Sequence, residues 1–157
     1  MEQLAEQDWA AAQANLETAV RFDPNHGRAF NNLGWVYYKN GQFYRAARTF
    51  QAAMQALPDH PAPISNLGLT MAAAGRWDDA VELQTRANAL NPDNPKYQAR
   101  LAFARVKRGD QLATIRSLLE TVISTNNQDD WASWARGLLA QLDHRSAGPG
   151  ATVDETY

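Results

Sequence analysis

Three segments of the chain contain no acidic side chain, and two of them carry basic side chains that could bind carboxylates. The segments are 27–40, 61–74 and 95–108, and together they hold Arg28, Lys39, Lys96, Arg100, Arg105, Lys107 and Arg108. All 17 Asp and Glu residues lie elsewhere in a chain of formal net charge -2. Because Arg and Lys form strong, charge-assisted hydrogen bonds with carboxylates, this separation of charge predicts a surface for an acidic partner.

The helix dipole explains part of this pattern without any partner. Cations gain about 0.3–1 kcal/mol in the last turn of a helix, which is where Lys39 and Lys107 are expected. Arg28 and Lys96 fall instead in predicted first turns, where positive charge is unfavourable. Binding is therefore the favoured interpretation of these two residues and of Arg100, and an ordinary solvated surface is the alternative.

Catalytic chemistry has few candidate residues. The chain has no Cys and three histidines, His26, His60 and His144. His26 and His60 are expected in equivalent turns about 10 Å apart, which is too far to share a metal ion. There is no Gly-rich phosphate loop and no nucleophile motif. We therefore predict that the protein is not an enzyme and uses no cofactor or metal.

The elements that position the basic residues follow a 34-residue repeat. Five sets of residues keep this interval: Pro24, Pro58 and Pro92; Leu33, Leu67 and Leu101; Gly41, Gly75 and Gly109; Ala12, Ala46 and Ala80; and Trp9, Phe43 and Trp77. A period of this length is typical of solenoids, in which each repeat is one supersecondary unit. We expect the last set, of aromatic residues, to lie in the core.

Each repeat predicts a pair of antiparallel helices. In 27–40, Phe30, Leu33 and Tyr37 share one helical face, and Gly41 can end the helix in the left-handed conformation. A second helix over 43–57 is predicted to bury Phe43, Ala46, Ala47, Phe50, Ala53 and Met54. The first helices of the three pairs are then 27–40, 61–74 and 95–108.

This spacing resembles the tetratricopeptide repeat signature. In 27–60 it is carried by Phe30, Leu33, Gly34, Tyr37, Ala46, Phe50 and Pro58, and in 61–94 by Ile64, Leu67, Gly68, Met71, Ala80 and Pro92. The second unit has Gln84 where an aromatic residue is usual. A degenerate third unit, 95–128, keeps Leu101, Ala102, Gly109 and Leu118. The resemblance implies an all-α fold, a right-handed α-solenoid of antiparallel helix pairs with a C-terminal capping helix.

The two ends of the array are expected to be incomplete. Residues 1–24 predict a half repeat, with a second helix over 9–22 that lacks its partner. A capping helix is predicted over 129–144, begun by Asp129 or Asp130, and 145–157 has the composition of a disordered tail. No signal peptide or membrane span is predicted, so we expect a cytoplasmic protein without membrane insertion.

The resemblance also implies where a partner binds, because in this family the first helices line a concave groove. The expected peptide-binding residues are Arg28, Asn31, Asn32, Trp35, Lys39, Asn66, Lys96, Arg100, Phe103 and Lys107. In members that bind the acidic C-termini of heat-shock chaperones, a clamp of Lys, Asn and Arg holds the carboxylates. Asn66, Lys96 and Arg100 match three of its five positions. Asn31 and Trp35 stand where Lys and Asn are required, which leaves a relaxed version of the clamp.

The predicted function is a non-catalytic protein–protein interaction module that binds an extended or C-terminal acidic segment, as a chaperone-like adaptor would. The alternative is a scaffold or assembly subunit that forms homo-oligomers through residues 9–22. That segment has an uncovered apolar face of Trp9, Ala12, Leu16, Ala19 and Val20. A nucleic-acid partner is not expected, since the net charge is slightly negative.

Overall fold

The structure, a computed structural model, describes residues 2–125 and 130–146. The described residues form helices and no strand, in the order α1 (Glu2–Phe22), α2 (Gly27–Lys39), α3 (Phe43–Ala56), α4 (Pro61–Ala73), α5 (Trp77–Leu90), α6 (Pro95–Arg108), α7 (Leu112–Thr125) and α8 (Asp130–Ser146). None of these helices is long and apolar enough to cross a membrane. The all-α prediction is therefore confirmed.

Side chains just before α2, α4 and α6 cap these helices. Nδ1 of His26 accepts a hydrogen bond of 3.3 Å from the Ala29 N–H, and Nδ1 of His60 accepts one of 3.3 Å from Ala62. Oδ1 of Asn94 accepts one of 3.0 Å from the Lys96 N–H. Each cap satisfies a backbone donor that has no partner inside its helix. The turn histidines thus have a structural role in starting helices.

The glycines of the repeat end the first helix of each pair. Gly41, Gly75 and Gly109 have φ angles of 70°, 74° and 90°. This left-handed backbone is easily adopted by glycine and strained for other residues. The prediction that Gly41 ends a helix is confirmed, and the chain turns back at the same point in each pair.

Close approach of helices within a pair depends on Gly34. A Cβ atom added there would lie 2.7 Å from the ring of Phe50, so α2 can pack on α3 only without a side chain at this position. Around this contact a buried cluster forms from Leu33, Tyr37, Ala46, Phe50 and Leu67. The predicted stripe of α3 is buried at Ala46, Phe50 and Ala53.

The stack curves towards its first helices. Each helix packs on the next one along the chain, and α2, α4, α6 and α8 also contact one another in succession. Among the described helices, no such contacts join α1, α3, α5 and α7 to one another. Since the first helices are closer together than the second ones, they lie on the concave face, and α8 extends that face by one further helix.

The third pair contains one inserted residue that the 34-residue period does not predict. α5 begins two residues after Gly75, whereas α7 begins three residues after Gly109. The core residues of α7 are consequently Ile115, Leu119 and Val122, each 35 residues beyond its counterpart on α5. Leu118, predicted from the strict period, is only half-buried.

The predicted bounds need correction at both ends. α1 begins at Glu2 and not near residue 9, so one long helix replaces the expected half repeat. α8 begins at Asp130 and continues to Ser146, two residues beyond the predicted end. Asp129 and the predicted tail beyond residue 146 lie outside the described residues.

Two of the three repeated aromatic residues are not core residues. Trp9 keeps 38% of its surface exposed and Phe43 keeps 37%, so the prediction was wrong for both. Phe43 is the first residue of α3, and the centre of its ring lies 5.6 Å from that of the Tyr38 ring. Trp77 is half-buried and meets the ring of Phe103 edge-on at 6.4 Å.

Candidate functional site

Arg100 lies at the centre of the concave face and joins its helices. Its Nη1 atom donates to Oγ of Ser65 at 2.8 Å and to Oδ1 of Asn66 at 3.2 Å. Nδ2 of Asn66 in turn donates to Oδ1 of Asn31 at 3.0 Å. Arg100 is on α6, Ser65 and Asn66 are on α4, and Asn31 is on α2. The structure thus brings together three of the predicted residues, Asn31, Asn66 and Arg100.

Two further members of this network, Ser65 and Gln84, were missed in the sequence. The hydroxyl of Ser65 donates to Oε1 of Gln84 at 2.8 Å, and Nε2 of Gln84 donates to the Ser65 carbonyl at 2.9 Å. Both side chains are fully buried. The available signal was Gln84 itself, because a buried amide in place of an aromatic residue needs a polar partner. We call Asn31, Ser65, Asn66, Gln84 and Arg100 the Arg100 cluster.

Burial affects the charges of two cations at this cluster, Arg100 and Lys96. Burial lowers the pKa of the Arg100 guanidinium, while the nearby phenols of Tyr97 and Tyr38 act to raise it. Burial also lowers the pKa of Lys96, and the charge of Arg100 lowers it further. Within the described part of the chain, the ion pairs do not include either cation. A bound carboxylate would offset both the desolvation and the mutual repulsion of the two charges.

Two other basic residues of α6 do not contribute free charge to the groove. Both nitrogens Nε and Nη2 of Arg108 bond to the carboxylate of Asp110, at 2.6 and 2.7 Å, and Nη1 lies 3.6 Å from Asp78. Arg105 also lies near Asp110, with Nε 3.9 Å from Oδ2. Arg105 and Arg108 have acidic partners near the end of α6. Fewer cations are therefore available to a ligand than the sequence indicates.

Aromatic rings follow the groove beside its remaining cations. Trp35 and Tyr38 stack with ring centres 5.3 Å apart, and Nζ of Lys39 lies 5.4 Å from the centre of the Trp35 ring. Nζ of Lys107 lies 5.6 Å from the ring centre of Phe103. The predicted residues Trp35, Lys39, Phe103 and Lys107 thus form ring–cation pairs at the two C-terminal helix ends.

Arg28 and Asn32 lie on α2, whereas Arg100 lies on α6. With Asn31 they line a shallow depression of about 200 Å³ whose other walls are Leu57, His60 and Pro63. Asn31 is shared between this depression and the Arg100 cluster. The predicted residues therefore divide into two neighbouring regions of one concave surface.

An apolar pocket adjoins Arg100 on its other side. It has a volume of about 280 Å³ and is lined by Leu69, Ala99, Arg100, Phe103, Trp131 and Trp134. We call it the α8 pocket, since α8 supplies both tryptophans. Both tryptophans also pack on the core of the third pair. Their place in the pocket beside Arg100 could not be predicted from the sequence, because it depends on where α8 packs.

The described residues contain no group of three or more His, Cys, Asp or Glu side chains that could hold a metal ion. The concave face carries amide side chains, several cations and an apolar pocket. Solenoid proteins use extended concave surfaces of this kind to bind partners.

Paired helices stacked around one concave face define a helical-repeat solenoid. A family model described as the tetratricopeptide repeat matches residues 3–67 and 40–104. The chain belongs to the tetratricopeptide repeat family, a class of protein–protein interaction modules.

Two curated relatives act in assembly processes. Photosystem I assembly protein Ycf3 of Synechococcus sp. (strain WH7803) is 30% identical over 102 residues, which are 54% of this chain and 59% of Ycf3. Cytochrome c-type biogenesis protein CycH of Rhizobium meliloti (strain 1021) is 27% identical over 143 residues, which are 87% of this chain and 37% of CycH. The chain thus spans little more than half of Ycf3 and about a third of CycH.

A solved structure of similar fold is the first TPR of Spaghetti (RPAP3) bound to the HSP90 peptide SRMEEVD. It superimposes with a TM-score of 0.71 at 20% identity and covers 78% of this chain and 94% of that one. At this level of identity the likeness shows the fold alone.

Proposed function

We propose that the concave groove binds an extended or C-terminal acidic segment of a partner protein, with carboxylates held by Arg100 and Lys96. The observation that carries the proposal is the half-buried guanidinium of Arg100. It is fixed by a hydroxyl and an amide, and it has no carboxylate partner among the described residues. Desolvating a cation is costly, so a site that positions one without a counter-ion is suited to an incoming anion.

The surroundings of Arg100 support the same ligand chemistry. Burial lowers the pKa of Lys96, and the nearby charge of Arg100 lowers it further. Asn32 is exposed on the same face, and its amide can hydrogen-bond an extended backbone. The structurally similar RPAP3 domain is bound to a peptide whose last four residues, EEVD, include three acidic ones. A groove of this fold can therefore accommodate an acidic C-terminus.

A synthetic peptide tests the proposal. The probe is the free acid of acetyl-Gly-Glu-Ser-Gly-Glu-Leu, hereafter the acid peptide, titrated into the full chain by isothermal titration calorimetry. Loss of a hydrogen bond to a charged group costs about 1.5–3 kcal/mol. Arg100→Gln should therefore raise the Kd at least about tenfold, and Lys96→Gln should raise it by less. Equal Kd values for the wild type and Arg100→Gln would refute the proposal.

A matched control separates the site from general charge. Arg48 is an exposed cation on α3, the outer helix of its pair. Arg48→Gln changes the net charge by the same amount as Arg100→Gln, so it reports the long-range effect alone. We expect its Kd to stay close to that of the wild type, and the difference between the variants to persist in 0.15 M salt, where distant charges are screened.

A second function, assembly through α1, is favoured by a separate observation. Ala12, Leu16 and Ala19 are half-buried, whereas Ala46, Phe50 and Ala53, their counterparts on α3, are fully buried. The apolar face of α1 therefore has room for a further helix, and both curated relatives are named for assembly or biogenesis. Sedimentation velocity with wild type and Trp9→Lys tests this function. A monomer at every concentration would exclude self-association through α1.

A further inference from the structure

We propose that α8 completes the ligand site, and that the α8 pocket binds the side chain of an apolar C-terminal residue whose α-carboxylate pairs with Arg100. This inference rests on the proposed function and narrows it to one class of ligand. The occupant is the last residue of a partner protein, with a large aliphatic or aromatic side chain. α8 is then a specificity element of the groove as well as a helix that packs on α7.

The lining of the pocket determines what can enter it. Five of its six lining residues are apolar, from α4 (Leu69), α6 (Ala99 and Phe103) and α8 (Trp131 and Trp134). Phe103 keeps 37% of its surface exposed, so its side chain is accessible to a ligand. Apolar walls form few hydrogen bonds with water. Transfer of an apolar side chain from water into the pocket is therefore favourable.

Its size suits one side chain. The volume of about 280 Å³ lies just below the range of about 300–1,000 Å³ that is typical of small-molecule sites. The pocket is open to the groove, so a peptide lying along the first helices can place one residue in it. A small polar residue would leave the tryptophan rings exposed to water and would gain no affinity from them.

The sixth lining residue, Arg100, connects the pocket to charge recognition. Its bonds to Ser65 and Asn66 both use Nη1, so among the described residues Nη2 and Nε are not engaged. A guanidinium can bind a carboxylate through two N–H groups at once. The carboxylate must therefore lie at the rim of the apolar pocket, within one residue of the side chain that fills it.

A C-terminal apolar residue meets this requirement with a single Cα atom. Its α-carboxylate and its side chain leave the same carbon, so both groups can reach their subsites without any strain in the peptide. An internal Glu followed by an apolar residue places the two groups on different carbons and on opposite sides of an extended chain. The charge and the pocket are side by side, which favours the terminal residue.

The test compares three peptides that differ at the last residue only. They are the acid peptide, its C-terminal amide, and the free acid that ends in Ser in place of Leu. Calorimetry should show the acid peptide binding at least about tenfold more tightly than either of the others. Equal binding of the amide would overturn the inference, as would equal binding of the Ser peptide or the absence of saturable binding by the acid peptide.

Substitutions then locate the effect. Leu69→Trp places a larger side chain in the pocket, and it should abolish the preference for Leu over Ser while the Ser peptide binds as before. Leu90→Trp is the matched control, since Leu90 is 40% exposed on α5 and does not line the pocket. Trp134→Ala should weaken binding of the acid peptide and leave binding of the Ser peptide unchanged. If Trp134→Ala fails to fold, the result for Leu69→Trp decides whether the pocket is a subsite. An unchanged preference in Leu69→Trp would overturn the pocket assignment.

The same data distinguish this inference from the proposed function. If both free acids bind equally and Arg100→Gln weakens both, the groove binds acidic peptides and the α8 pocket is not a subsite. If Arg100→Gln leaves the binding of both peptides unchanged, the proposed function itself fails. The inference stands only if binding depends on Arg100, on the free carboxylate and on the apolar side chain together.

Discussion

Ser65 and Gln84 exchange two hydrogen bonds inside the middle repeat, one from the Ser65 hydroxyl to Oε1 of Gln84 and one from Nε2 of Gln84 to the Ser65 carbonyl. Gln84 occupies the position of Phe50 one repeat earlier, and it packs on Gly68 as Phe50 packs on Gly34. The exchange of an aromatic ring for an amide therefore keeps the close helix contact. It also supplies an acceptor for the hydroxyl that orients Arg100.

The first prediction concerns the stability of this pair. Gln84→Leu should lower the free energy of unfolding by about 1–3 kcal/mol, because the buried Ser65 hydroxyl loses its acceptor. The double variant Ser65→Ala/Gln84→Leu should lose less than the sum of the two single variants, because neither side-chain partner is left unpaired. Urea unfolding followed by circular dichroism measures all four proteins.

A control and a binding measurement complete this cycle. Gln55→Leu makes the same substitution at an exposed site on α3, and its unfolding free energy should change by less than about 0.5 kcal/mol. Ser65→Ala should also weaken binding of the acid peptide, because Arg100 loses the hydroxyl that positions it. Strict additivity of the two single substitutions would contradict the coupling.

The second prediction places a counter-ion inside the site. Oδ1 of Asn66 accepts a 3.2 Å hydrogen bond from Arg100, so Asn66→Asp presents a carboxylate to the guanidinium from within the protein. This internal anion competes with the ligand, and the Kd for the acid peptide should rise at least about tenfold. Gln55→Glu adds the same negative charge on α3 and should have little effect. Unchanged affinity in Asn66→Asp would show that ligand carboxylates bind elsewhere.

Much of the fold follows from local sequence rules. The glycines at 41, 75 and 109 and the small residue Gly34 each have one conformational or packing reason to be where they are, and such reasons act within a repeat. Rules that act within one repeat do not predict the residue inserted before α7. A strict period assigns Leu118 to the core, whereas the extra residue shifts the register of α7 by one and buries Leu119.

The site is less predictable because its parts come from different repeats. Asn66 and Arg100 were expected in the groove, since each has a position on a first helix. Arg100 is also held by Ser65 on α4, whose hydroxyl bonds to Gln84 on α5, and no spacing rule indicated that these two residues take part. The same holds for Arg105 and Arg108, whose charges looked available until the turn brought Asp110 to them.

The third prediction uses two glycines in contrasting surroundings. Gly34→Ala should destabilise the protein by about 1–3 kcal/mol, because its Cβ would lie 2.7 Å from the Phe50 ring. Gly137 lies within α8, and a Cβ there meets nothing within 4 Å. Gly137→Ala should therefore stabilise the protein by about 0.5–1 kcal/mol through helix propensity. Thermal unfolding measures the change in stability of each variant. Changes of the same sign for Gly34→Ala and Gly137→Ala would contradict this packing account.

The last prediction concerns pH and the attachment of α1. The Tyr37 hydroxyl donates a 2.8 Å hydrogen bond to Oε1 of Glu17, and Nε2 of Gln13 donates another of 2.8 Å to the same atom. The bond from Tyr37, and secondarily that from Gln13, lowers the pKa of Glu17. Both bonds favour the ionised carboxylate, so their stabilisation is complete above the pKa of the unfolded chain. It is lost as the pH falls through the lower, folded value.

Acidification should thus weaken the packing of α1 on α2 at a pH at which the buried apolar core is still intact. Because Glu17 is exposed, we expect its contribution to be about 0.5 kcal/mol or less. Thermal unfolding of wild type and Glu17→Gln from neutral to acidic pH measures it, with Glu82→Gln on the exposed face of α5 as the matched substitution. The difference in Tm between wild type and Glu17→Gln should shrink as the pH falls, and Tyr37→Phe should remove the same pH-dependent part. A difference that grows on acidification would show that Glu17 is not held in its ionised form by Tyr37.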